Sequence, residues 1–155
     1  MLQQAFGLQV SRGGLCQALA RVASKSEPTY NALVEEVRRS ASVTPDETGW
    51  RVGGKLWWMW AFSTPQVTVY SIQPGRGFEQ AAMVLGADFT GFLVRDGWSI
   101  YRQFIHALHQ TCLAHLLRRC REMILVARTG EAEFPRTIET ILQQSLQLRD
   151  RHTQG

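Results

Sequence analysis

Three consecutive aromatic and β-branched runs, Val43 to Val52, Leu56 to Phe62 and Gln66 to Gln73, are separated only by the turn signals Gly53-Gly54 and Thr64-Pro65. Runs of this kind joined by such short connections predict an antiparallel meander of three strands. Beyond Gln73 the chain departs from an all-β pattern. Phe78 to Leu85 has helical spacing and is closed by Gly86, and Gly91 to Val94 is a short, wholly apolar run of the kind buried on both faces of a sheet. The expected order is three strands, a helix, a strand, a short helix around Ile100 to Phe104, a further strand near His109 to Cys112, then helices, which is an α/β arrangement around a mixed sheet.

The flanks read as helical. Leu15, Leu19 and Val22 form one stripe and, after Pro28, Tyr30, Leu33, Val34 and Val37 form another, so two short helices are expected between Gly13 and Ser40. Arg38 and Arg39 then fall where a helix C-terminus favours positive charge. Leu113, Leu116, Leu117, Cys120 and Ile124 share one face of a helix from Leu113 to Val126, and a last helix is expected from near Pro135 through Ile138, Ile141, Leu142 and Leu146 to a polar tail, Arg149 to Gly155. The chain divides into an N-terminal helical segment, 1–40, and the sheet-containing remainder, 41–155. No internal repeat interrupts it.

A length of 155 residues suits one domain with a single core, and 45% hydrophobic against 19% charged residues excludes a disordered chain. The net charge of +4 comes almost entirely from arginine, since only Lys25 and Lys55 are lysines. Arginine grips phosphate oxygens in bidentate fashion, but a modest excess of this size points only weakly to an anionic partner. Cys16, Cys112 and Cys120 are odd in number and widely spread, with no secretory segment ahead of them, so a reducing cytoplasm is expected and a disulfide framework is not. No apolar run approaches the roughly 20 residues that cross a bilayer.

Two aspartates stand out by placement. Asp46 falls in the first predicted strand and Asp96 just past the fourth; if those strands are neighbours, the two carboxylates lie side by side. Paired carboxylates can hold divalent ions that activate an attacking oxygen and stabilise a leaving one in phosphodiester transfer, and magnesium suits such hard ligands. Aspartates at strand ends also serve as turn formers, and spacing alone does not choose between these roles. Glu47 alternates to the opposite face from Asp46, which leaves it a supporting role. Glu122 lies four residues after Arg118, the spacing of a surface ion pair, which is a simpler account than a third metal ligand.

Other groups carry weaker signals. Cys112-x-x-His115 is half of a zinc site at best, with His106 and His109 the only further candidates, and packing explains the pair more simply. In the Leu56 to Phe62 run, Trp58 and Trp60 share one face and Trp57 the other, so core packing accounts for one set; Trp98, close to Asp96, is the tryptophan to consider for stacking on an unpaired base. Arg118, Arg119, Arg121 and Arg128 give one helix a basic side suited to a phosphate backbone or simply to water. Gly75-x-Gly77 is too short for a phosphate-binding loop and reads as a turn.

Three stretches, in order, closely resemble the insertion-sequence-66 family of transposases. They are Asp46-Glu47-Thr48-Gly49-Trp50-Arg51-Val52 with the Trp58/Trp60 strand after it, Gly91-Phe92-Leu93-Val94-Arg95-Asp96-Gly97-Trp98, and His109-Gln110-Thr111-Cys112-Leu113-Ala114-His115-Leu116-Leu117-Arg118. The similarity extends from about Gly13 to Arg151. It implies a ribonuclease-H-like mixed sheet with flanking helices, an Asp-Asp-Glu triad in which Asp46 and Asp96 match the two aspartates, and magnesium or manganese as the metal. It also implies transposon-end DNA as substrate and other transposase chains as partners. The family's glutamate lies in a downstream Asn-containing motif of a longer chain that nothing here matches. Residues 41–155 are therefore expected to be a partial catalytic domain, incomplete at the C-terminus and inactive alone in DNA strand cleavage and joining. A non-catalytic DNA-binding or partner-binding remnant is the alternative.

Overall fold

The computed structural model describes Gly7, residues 11–128 and residues 130–153. Most of the first ten residues of the helical segment and the last two of the polar tail thus lie outside the described residues. Helix α1 (Arg12–Arg39) starts at Ser11, whose hydroxyl accepts the Gly14 N–H at 3.0 Å. Instead of two short helices there is one, continuous through Pro28. A proline inside a helix removes one backbone hydrogen bond, and its ring crowds the carbonyl four residues back. Residues 19–33 are all exposed, so water can satisfy that group. Only Val34 and Val37 of the helix are buried, and both belong to the same core as the sheet.

Strands β1 (Ser42–Val52) and β2 (Lys55–Ser63) form a hairpin whose turn, Gly53-Gly54, has φ values of +55° and +79°. Those left-handed angles are open to glycine at no steric cost, which is why this dipeptide sets the register Val52↔Lys55 to Thr44↔Ser63. Strand β3 (Thr68–Gln73) adds antiparallel to β2 after a turn that Thr64 closes, its hydroxyl accepting the Val67 N–H at 2.9 Å. Helix α2 (Phe78–Leu85) ends at Gly86 and returns the chain to β4 (Phe92–Arg95), which pairs parallel with β1. A short 3-10 helix (Ser99–Gln103) leads to β5 (Leu108–Thr111), parallel to β4. The order β3-β2-β1-β4-β5, three antiparallel strands followed by two parallel ones, is the ribonuclease-H-like arrangement that the resemblance implies.

Gly91 sets how closely β4 approaches β1. A Cβ there would meet the carbonyl oxygens of Ser40 and Ala41 at 2.8 and 3.0 Å and the Phe89 ring at 2.6 Å, so any larger residue pushes the two aspartate-bearing strands apart. One sheet face carries the core: Val43, Trp60, Phe62, Val69 and Leu93 pack with Ala81, Val84 and Leu85 of α2 and with Tyr101 and Phe104. On the other face Tyr70, Ile72, Phe92 and Leu108 remain 44–57% exposed. Helices α3 (Leu113–Val126) and α4 (Glu133–Thr153) pack on each other and are tied by Arg121 and Glu139 at 2.8 Å. Helix α4 absorbs the start of the expected polar tail. No helix among the described residues is long and apolar enough to cross a membrane.

Candidate active site

The parallel pairing of β1 and β4 brings the two aspartate-bearing segments side by side. Val43 is paired with Leu93, the last pair of that ladder, and Asp46 within β1 and Asp96 one residue past β4 each lie three residues beyond it. Asp46 is exposed and Asp96 half-buried. Each spends one oxygen locally: Asp46 Oδ1 accepts the Glu47 N–H at 3.0 Å, and Asp96 Oδ1 accepts the Trp98 N–H at 2.9 Å. Neither forms an ion pair with a described residue. Two carboxylates without ion-pair partners on neighbouring segments are donors of the kind that suit a divalent ion of the magnesium type, which commonly takes one or two carboxylates and keeps its waters. Among the described residues, no three His, Cys, Asp or Glu side chains converge on one metal position.

Glu47 points to the other face, as alternation requires, and there it is far from an ordinary surface acid. Its side chain is 3% exposed. Tyr101 Oη donates to its Oε2 at 2.6 Å, and Arg76 donates to its Oε1 through Nε at 3.0 Å and Nη2 at 2.7 Å. The Arg76 guanidinium also lies between two indoles, 3.6 Å from the Trp98 ring centre and 4.6 Å from that of Trp58. The Gly75-x-Gly77 turn is present, but sequence reasoning misses the residue it carries: an arginine between two glycines leaves no local signal of a partner 29 residues away. Trp98 stacks on Trp60 at 6.5 Å and meets Tyr101 edge-on at 6.3 Å, so packing claims much of its surface.

An open cleft of about 630 Å³ is lined by Arg76, Asp96, Gly97, Trp98, His115, Arg118, Arg119 and Glu122; Asp46 is not among its lining residues. Arg118 and Arg119 have no acidic partner among the described residues, and an Arg119 nitrogen lies within 3.5 Å of where a Gly97 Cβ would stand. Arg121 is drawn away to Glu139 on α4. The spacing of Arg118 and Glu122 predicts an ion pair; none forms, and both line the cleft. The His115 Nδ1 is buried without a hydrogen-bond partner, as is Arg95 Nε. Cys112 is the residue before α3, its N–H donating to Arg95 O at 2.8 Å, and His109 Nε2 lies 3.1 Å from Phe104 O, which makes that nitrogen the donor.

Tyr101 is fully buried, and burial, then the Glu47 hydrogen bond and charge, then the charges of Asp96 and Asp46, push its hydroxyl well above the ordinary tyrosine range. The folded state therefore keeps a proton that the unfolded chain releases above its ordinary value of 10.0. Stability is expected to be unaffected by this group below pH 10 and to fall by about 1.4 kcal/mol per pH unit above it. Urea titrations at pH 9, 10 and 11 check this: Tyr101→Phe should flatten the alkaline loss, and an unchanged slope would show that Tyr101 ionises freely.

No curated protein matches the chain. Among solved structures, a chain of the simian T-cell lymphotropic virus intasome in complex with PP2A regulatory subunit B56 gamma aligns with 12% identity and a TM-score of 0.39, over 60% of this chain and 45% of that one. The present chain thus spans less than half of that relative. The HTLV-2 integrase catalytic core domain, solved with magnesium in a dimeric form, aligns with 10% identity and a TM-score of 0.38, over 62% of this chain and 82% of the other. A family profile described as "Transposase IS66 family" matches residues 1–153, nearly the whole sequence, and the chain accordingly belongs to the IS66 family of transposases.

Proposed function

We propose that the chain is part of an Asp-Asp-Glu transposase catalytic domain, in which Asp46 and Asp96 hold magnesium or manganese for DNA strand cleavage and joining at transposon ends, and that alone it is inactive. The observation that supports this reading is the parallel pairing of β1 with β4 at Val43↔Leu93, from which Asp46 and Asp96 lie at equal offsets in sequence, neither carboxylate in an ion pair with a described residue. A bound ion would supply charge stabilisation for a phosphodiester under attack. The chain's own part is to hold the two carboxylates in register and to offer Arg118 and Arg119 to the phosphate backbone. The fragment reading is supported by the uncovered sheet face, because a face bearing Tyr70, Ile72, Phe92 and Leu108 normally packs against another layer.

Manganese binding by calorimetry tests the metal site. The wild-type chain is expected to bind and the Asp46→Ala/Asp96→Ala variant to show no binding; equal heats in both would remove the site. Strand transfer by the isolated chain on a short transposon-end duplex would contradict the inactivity. A second reading is favoured by the lack of a converging third acid among the described residues: a remnant that binds DNA through its arginines without chemistry. Under it, Arg118→Ala/Arg119→Ala abolishes DNA binding while the aspartate variants bind as the wild type does.

A further inference from the structure

We propose that Arg76 is a positioning residue for Asp96, acting through Trp98 and locked in place by Glu47 and Tyr101. The inference rests on the reading of Asp96 as a metal ligand. Arg76 reaches the cleft that holds Asp96, yet it differs from Arg118 and Arg119: its charge is already met by a carboxylate that is 3% exposed. A neutralised guanidinium is a poor phosphate grip, and both of the nitrogens it gives to Glu47 are unavailable to a ligand.

What Arg76 does hold is Trp98. Its flat guanidinium covers one face of that indole at 3.6 Å, and Trp60 stacks at 6.5 Å, so the ring has little freedom to turn. The Trp98 backbone N–H is in turn the donor that orients the Asp96 carboxylate, at 2.9 Å. The loop that presents Arg76 is itself fixed. Trp60 Nε1 donates to Gly75 O at 3.2 Å, the Gln80 side chain accepts the Gly77 N–H at 2.8 Å, and a Cβ at Gly75 would strike Gln80 at 2.9 Å. Glu47 follows Asp46 directly in β1. One buried carboxylate therefore links the strand of the first aspartate to the turn of the second, across the β3–α2 loop.

Lysine at position 76 keeps the charge and loses the plane, which separates stacking from simple ion pairing. In metal-free protein, Arg76→Lys and Glu47→Gln are each expected to speed amide hydrogen exchange at Trp98 about tenfold relative to the β1–β2 hairpin amides, and to move the Asp96 carboxyl carbon resonance. Manganese affinity should fall roughly tenfold, as for other residues that orient a metal ligand. Wild-type exchange at Trp98 and an unmoved Asp96 resonance in both variants would overturn the proposal, as would loosened exchange at Trp98 with the Asp96 resonance unmoved. If the resonances shift as expected but wild-type protein binds no manganese, the metal reading fails and the positioning stands.

Discussion

Glu47→Ala is expected to destabilise the fold by about 3–5 kcal/mol, because it strands the partners of a buried charge. The side chain is 3% exposed and receives three hydrogen bonds, two from Arg76 and one from Tyr101. Removing it leaves a guanidinium stacked between Trp58 and Trp98 with no counter-charge, and a fully buried tyrosine hydroxyl with no acceptor. Arg76 is 39% exposed and can swing to water, which sets the loss nearer the lower bound than for a fully buried pair. Glu47→Gln should lose less, since the amide oxygen still accepts from Tyr101. The Glu47→Ala/Arg76→Ala double variant should be more stable than the sum of the single losses implies, by at least about 1 kcal/mol, because neither partner is then left alone. Urea unfolding of the four proteins decides the matter; additive losses would mean that Glu47 and Arg76 do not act as a unit.

This network explains which parts of the site are legible in the sequence and which are not. The strand positions of Asp46 and Asp96 are legible because each sits in or beside a run whose apolar character announces a strand, and the pairing of Val43 with Leu93 sets those two strands side by side. The faces of β2 are legible for the same reason: alternation puts Trp58, Trp60 and Phe62 together, and all three join the core or pack on it. Arg76 is not, because nothing local distinguishes a turn arginine that hangs in solvent from one drawn inward by a distant acid. Glu122 shows the converse error. Helical spacing offers Arg118 as its partner, but on a helix with several arginines spacing is a weak constraint, and the acid that an arginine of α3 finds is Glu139 on the neighbouring helix. Pro28 suggests a break that does not occur; the carbonyl it frees lies on an exposed stretch where water can replace the lost bond, and that exposure is not written in the sequence. Which sheet face stays open depends on where α1 and α2 pack, which no local pattern gives.

Trp60→Ala is expected to be as damaging as the loss of Glu47, at about 3–5 kcal/mol, and through a different route. Trp60 is fully buried at the centre of the sheet, opposite Glu47 in the β1–β2 register. Its ring stacks on Phe62 at 6.0 Å and on Trp98 at 6.5 Å, and its Nε1 holds the carbonyl before Arg76. The alanine variant opens a cavity, leaves the Gly75 carbonyl without its donor and removes the floor beneath Trp98. Thermal unfolding should show a midpoint lower by roughly 10 °C or more. Trp60→Phe keeps a ring in the cavity and loses the indole hydrogen bond, so it should cost about 1 kcal/mol. If the alanine variant lost stability but bound manganese as tightly as the wild type, Trp98 would not depend on the stack beneath it. A joint loss of stability and affinity is the expected result, because one aromatic side chain supports both the core of the sheet and the turn that aims Asp96.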